Sequence, residues 1–192
     1  MAEPERPGER GRAMEDEYFR KRDLELIEKL RKAKADEATK RDLGASTGLQ
    51  DPTLLQELLD LGFTPETVNL LPLIPVVQMA WAEGGVTRHE HDLVVKLAQA
   101  RGIADGSAAH RQLTDWLTTR PAAVVFSGAG RLIRAMMLSG STQVANLTAD
   151  DLVHYCEQIA GASGGVLGLG RISGEERALL QAIAAGLKTR QG

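Results

Sequence analysis

The sequence predicts an all-α fold, and three observations carry that prediction. Helix start signals recur through the chain beyond residue 50: Asp51-Pro52, Thr64-Pro65, Thr87, Thr148 and Ser173. Alternating apolar and polar runs are scarce and aromatic residues make up only 4%, so no sheet is expected. Finally, one loop-to-helix pattern occurs twice. The first copy runs from Ala80 through Trp81-Ala82-Glu83-Gly84-Gly85-Val86-Thr87 to Glu90; the second runs from Ala160 through Ser163 and Gly164 to Ser173 and Glu176. Two such helix pairs predict a body with internal pseudo-repetition.

The chain begins with Pro4, Pro7, Gly8 and Gly11 among charges, so residues 1–13 are expected to be disordered. Residues 14–41 contain neither Gly nor Pro and read as one exposed helical arm. Its apolar positions Phe19, Leu26, Ile27, Leu30 and Ala33 form a narrow stripe at helical spacing. That stripe is too narrow for a core of its own and suits docking on a partner. Residues 42–50, with Gly44-Ala45-Ser46-Thr47-Gly48, read as a linker.

Residues 51–192 form the helical body, with helices expected at about 52–61, 65–82, 88–101, 107–119, 122–138, 149–162 and 174–188. Asp51 and Thr64 each precede a proline that is tolerated at the first helical position. Thr87 and Ser173 are N-caps, and Glu90 and Glu176 stand three residues on, where a capping box needs a carboxylate. Thr148 is followed by Asp150 and Asp151, and acids are favourable at a helix N-terminus. Ser127-Gly128-Ala129-Gly130 puts glycine inside a helix at a cost of about 1 kcal/mol relative to alanine. Close approach of another backbone would offset that cost, and the segment is expected to be a central buried helix.

Composition narrows the function. The net charge is −3, which gives no global attraction to nucleic acid or anionic lipid. Residues 1–41 hold 12 of the 23 Lys+Arg and 11 of the 26 Asp+Glu, a dense mixed-charge arm ahead of a mildly acidic body. Along the sequence its cations alternate with acids, which argues against a phosphate-binding stripe and a nucleic-acid partner. The longest apolar runs contain Pro72 and Pro75, or Arg131 and Arg134, so no membrane insertion is expected. The opening residues give no secretory signal, and a cytoplasmic location is expected. Cys156 stands alone in an apolar stretch and reads as a packed core thiol.

Catalysis finds little material. His110 and His154 are isolated, and no Ser or Cys lies in a nucleophile elbow. The run Gly164–Gly170 lacks the Gly-Lys-Ser/Thr ending of a phosphate loop and follows a helix, not a strand. No enzyme activity and no cofactor are expected. Among Glu83, His89, Glu90 and His91, the two histidines fall on different helix faces. Glu83 and Glu90 could meet across their loop to hold a hard cation.

At the repeat, the body over about residues 65–188 resembles the TerB-like family of all-helical domains associated with tellurite resistance. The shared unit is a helix, a short acidic Gly loop, an aliphatic residue, a hydroxyl residue and a glutamate that opens the next helix. The resemblance implies a TerB-like stress-response domain in which loop acids and helix glutamates bind metal. The matching positions here are Glu83, Glu90 and Glu176, with Ser163 where the second loop acid would stand. With that set incomplete, no tight divalent site is expected.

The arm carries a second resemblance. Glu15-Asp16-Glu17-Tyr18-Phe19-Arg20-Lys21-Arg22, followed by Glu25, Ile27, Leu30 and Arg31, is similar to the inhibitory helix of the mitochondrial F1-ATPase inhibitor protein. It implies a protein partner for residues 14–41, namely F-type ATPase catalytic subunits, whose hydrolysis the helix blocks. The partner-binding residues would be Glu15, Tyr18, Phe19, Arg20, Arg22, Leu26 and Leu30. The alternatives for the arm are a different partner or self-association. The expected function is that of a non-catalytic helical adaptor or regulator.

Overall fold

The computed structural model describes residues 7–162 and 172–188, with side chains described from residue 17. Eight α-helices and no strand occur among them: α1 (Pro7–Thr47), α2 (Pro52–Asp60), α3 (Ile74–Ala80), α4 (Arg88–Ala100), α5 (Ala108–Thr118), α6 (Ala123–Leu138), α7 (Ala149–Ala162) and α8 (Gly174–Lys188). Two 3₁₀ segments, Val68–Leu73 and Thr142–Val144, join α2 to α3 and α6 to α7. The chain divides into two compact units, residues 1–39 and 40–192.

The first unit is the arm portion of α1, and residues 17–35 of it are all exposed. An exposed helix needs local support. Glu17, Glu25, Glu28, Asp36 and Glu37 each stand four residues before a Lys or Arg. Each such spacing contributes about 0.2–0.5 kcal/mol in the favourable orientation. The helix is longer than the expected 14–41 at both ends. Residues 7–13, expected to be disordered, are helical; Pro7 occupies the first position, where its missing N–H costs nothing. Once a helix is nucleated, adding residues is cheap. Residues 1–6 lie outside the described residues.

At the other end, most of the expected linker is helix and core. Leu43, Thr47 and Leu49 are buried in the body. Thr47 Oγ1 donates to the Leu43 carbonyl at 2.7 Å and accepts from Leu49 N–H at 3.3 Å. Gly48 ends the helix at φ +72°, a conformation favourable only to glycine. Burial of a few apolar residues overrides the Gly/Ser-rich composition that reads as a linker.

In the body, local start signals became local structure. Asp51 Oδ1 accepts from Thr53 N–H at 2.8 Å, with Pro52 in the first turn of α2. Ser107 Oγ accepts from His110 N–H at 3.0 Å and caps α5. Thr148 and Asp151 form a reciprocal pair that opens α7. The expected helix 65–82 is broken, since Pro72 lies within the 3₁₀ segment and α3 starts only at Ile74, with Pro75 in its first turn. Proline lacks the N–H an α-helix interior needs.

The central helix is α3, not α6 as the small-residue patch suggested. Ile74, Pro75, Val76, Val77, Met79 and Ala80 are all buried, and α3 packs on α4, α6, α7 and α8. Helix α6 is amphipathic, with Val125, Ala129, Leu132, Ile133 and Met136 inward and its other face open. Its two glycines differ: Gly128 serves close approach, whereas Gly130 has room for a methyl group. A Cβ on Gly130 would lie 3.7 Å from the Gly186 carbonyl oxygen of α8. A Cβ on Gly128 would lie 3.1 Å from Glu57 Oε1 and from Leu61 Cδ1, beside α2. Arg131 of α6 donates to that same Glu57 oxygen, tying the two helices together. The repeat units, α3–α4 and α7–α8, pack side by side through α3 against α7 and α8 and through α4 against α7. Lys188 pairs with Asp150 between α8 and α7.

Candidate functional site

Two places on the molecule gather the residues singled out from the sequence. The first is the arm. Tyr18, Phe19, Leu24, Leu26, Ile27 and Leu30 are between 44% and 62% exposed, an unusual density of large apolar groups in water. Tyr18 and Phe19 meet edge to face, with ring centroids 5.8 Å apart. Arg22 Nη1 donates to the Tyr18 hydroxyl at 3.3 Å. Arg20 is exposed beside them. Glu15 lies on α1, but its side chain is outside the described part. Leu24, absent from the stripe read in the sequence, belongs to the exposed set, and its signal was its apolar type in a charged segment.

The second place is built by the repeat. Glu90 Oε2 accepts from Thr87 N–H and from Thr87 Oγ1, each at 2.7 Å, while Thr87 Oγ1 accepts from Glu90 N–H at 3.3 Å. In the second copy Glu176 Oε2 accepts from Ser173 N–H at 2.7 Å, and Glu176 N–H donates to Ser173 Oγ at 3.1 Å. Both boxes are therefore complete. Both glutamates are also buried, at 3% and 1% exposure, which a surface capping box does not require. Burial pushes the Glu90 carboxyl above the usual carboxylate range; its bonds to Thr87 oppose this, and the charges of Glu176 and Glu83 add to it. The fold thus brings Glu83 and Glu176 each within electrostatic reach of Glu90; the approach of Glu176 is the part that the linear sequence does not show.

Reach is not coordination. Among the described residues no group of three His, Cys, Asp or Glu side chains is close enough to hold a metal ion. Glu83 and His89 are exposed, while Ser163 and the run Gly164–Gly170 fall outside the described residues.

The remaining candidates have structural employment. His110 Nδ1 accepts from Gly106 N–H at 3.3 Å, and its Nε2 lies 3.5 Å from Asp105, within the turn that opens α5. His154 is exposed beside Glu157 and Gln158. Cys156 is buried in the core, and burial, with the Glu157 charge added, pushes its thiol up to about 12. A thiol so placed is protonated at neutral pH and not a nucleophile. No helix among the described residues is long and apolar enough to cross a membrane. No protein-family model, curated protein or solved structure matches the chain.

Proposed function

We propose that this protein is a non-catalytic regulator whose N-terminal helix docks on a protein partner. The observation that carries the reading is the row of six large apolar side chains exposed along α1 between Tyr18 and Leu30. Burying one phenylalanine contributes about 1.5–3 kcal/mol, so the arm holds unused binding energy that a partner surface would collect. Tyr18 and Phe19 are the anchors, with Arg20 and Arg22 placed for charge-assisted bonds around them.

The partner in the specific form of this proposal is the catalytic part of an F-type ATPase. Its support is the run Glu15–Arg22 with Glu25, Ile27 and Leu30, now set on one continuous helix. In the test, the full-length chain is added to the cognate F1 complex and ATP hydrolysis is followed between pH 6 and 8. Inhibition that is removed by Tyr18→Ala with Phe19→Ala supports the specific form. Unchanged hydrolysis at every pH removes the ATPase and leaves a docking arm for another partner.

The alternative, a TerB-like metal-binding stress-response domain, draws on the convergence of Glu83, Glu90 and Glu176. It is the weaker reading, because two of these carboxylates already serve as helix caps.

A further inference from the structure

The body carries a crevice between α2 and α6. Helix α2 turns Thr53, Glu57 and Asp60 to it, and α6 turns Val124, Gly128 and Arg131. Both sets are spaced by four and three residues, so each helix presents one face. The crevice has a volume of about 470 Å³, within the range of small-molecule sites.

Two features of its wall run against stability. Glu57 Oε1 accepts from Arg131 Nη2, but Glu57 Oε2 is buried and accepts no hydrogen bond from any described residue. A buried acceptor without a donor destabilises a fold, and a charged one does so more. The second feature is Gly128, inside α6, where glycine weakens the helix. Its missing methyl group makes room for the same carboxylate, since a Cβ there would lie 3.1 Å from Glu57 Oε1. Departures of this kind from local stability gather at functional sites.

What the wall offers defines what completes it. Glu57 Oε2 needs a donor, and exposed Asp60, one turn on, adds a second carboxylate. The Arg131 side chain is 60% exposed and keeps N–H groups beyond the one given to Glu57. An acceptor short of a donor thus adjoins a guanidinium with donors to spare. The complement is an ammonium group next to a carboxylate. We propose that the α2–α6 crevice binds a free α-amino acid with an aliphatic side chain. The ammonium donates to Glu57 Oε2 and Asp60, the carboxylate accepts from Arg131, and the side chain lies against Leu61 and Val124, which also line the crevice. The terminal torsion of a glutamate is soft, so a modest rotation turns Oε2 toward a donor in the crevice. A lone cation would meet Arg131, and a lone anion would meet Glu57 and Asp60, so charge complementarity selects the zwitterion. The site belongs to the body and stands whatever the arm binds.

The test is calorimetry on the full-length chain with L-leucine and L-valine as probes. Two relatives of leucine serve as controls: 3-methylbutylamine, which lacks the carboxylate, and N-acetyl-L-leucine, which lacks the ammonium charge. At least one of the two amino acids should bind with a Kd below about 1 mM. Each control should bind at least about tenfold more weakly than leucine. Glu57→Gln, close to wild type in size, should weaken amino-acid binding about tenfold or more, and Arg131→Gln should do the same. Urea unfolding checks that each variant is folded, and the bound amino acid should raise the wild-type midpoint but not that of Glu57→Gln. The two controls need only the wild-type chain, so the test holds even where a variant fails to fold. No binding of either amino acid up to about 10 mM would overturn the proposal. So would binding of the amine or the acetylated acid as tight as that of leucine, or unchanged affinity in a folded Glu57→Gln variant.

Discussion

Gly44 and Gly130 are both helical glycines, and replacing each with alanine should move stability in opposite directions. Alanine in a helix is favoured over glycine by about 0.5–1 kcal/mol when its methyl group has room. At Gly130 it has room: the nearest atom outside its own helix is the Gly186 carbonyl oxygen at 3.7 Å, an ordinary contact. Gly130→Ala should therefore stabilise the body by about 0.5–1 kcal/mol, which raises Tm by roughly 1–4 °C for a chain of this size. At Gly44 the methyl group would come within 3.1 Å of the Leu49 carbonyl oxygen. That carbonyl is backbone in a turn held by Gly48 N–H on the Gly44 carbonyl at 2.9 Å and by Thr47 Oγ1. Forcing it outward is an overpacking cost of about 1–3 kcal/mol, which exceeds the helix gain. Gly44→Ala should lose about 0.5–2 kcal/mol net. Urea unfolding followed by tryptophan fluorescence is the assay. Both tryptophans belong to the body, with Trp81 Nε1 donating to the Trp116 carbonyl at 2.8 Å. A Gly44→Ala midpoint at or above wild type would refute the claim that the end of α1 is built into the core.

Three further outcomes follow from the buried polar groups. Because the folded Glu90 carboxyl titrates above its ordinary value, its contribution to stability is full below about pH 4.3 and is lost as pH rises through the folded value. Glu90→Gln keeps an acceptor for Thr87 and removes the charge, so its stability relative to wild type should improve from pH 4 to pH 7; a difference that stays constant with pH would count against this reading. Calorimetry with Ca²⁺, Mg²⁺ and Zn²⁺ should show no binding tighter than the high-micromolar range, on the order of 5 kcal/mol. A saturable micromolar site lost in Glu83→Ala and Glu90→Ala would reverse that expectation. Cys156 should resist a thiol reagent at pH 8 in the native protein and react on unfolding in urea, whereas fast native labelling would show that α7 opens readily.

What the sequence disclosed was local. Asp51, Thr87, Thr148 and Ser173 announced their helices because a cap acts within four residues, and six of the seven expected body helices stand within a residue or two of their places. The seventh, 65–82, was misread through Pro72 and Pro75, although both prolines were in view. The errors of greater reach came from tertiary burial. Nothing near Gly44 says that Leu43, Thr47 and Leu49 will be covered by the body. Likewise, the local pattern reads Glu90 and Glu176 as caps without saying whether they are covered, and only packing α3–α4 on α7–α8 buries them near one another.

Internal repetition has a consequence of its own at this meeting point. When two copies of one motif pack together, a residue near their junction faces its own counterpart, so whatever charge local structure demands there is duplicated against itself. The capping box asks for a carboxylate in each copy, and the fold then sets the two copies' carboxylates within reach of each other. Local and global preferences conflict at this one place. An amide in place of the carboxylate in either box relieves it, because it keeps a capping acceptor and removes the charge. Two charged boxes are thus the arrangement least favourable to the pair, and losing one of the charges is a route to a more stable fold at neutral pH.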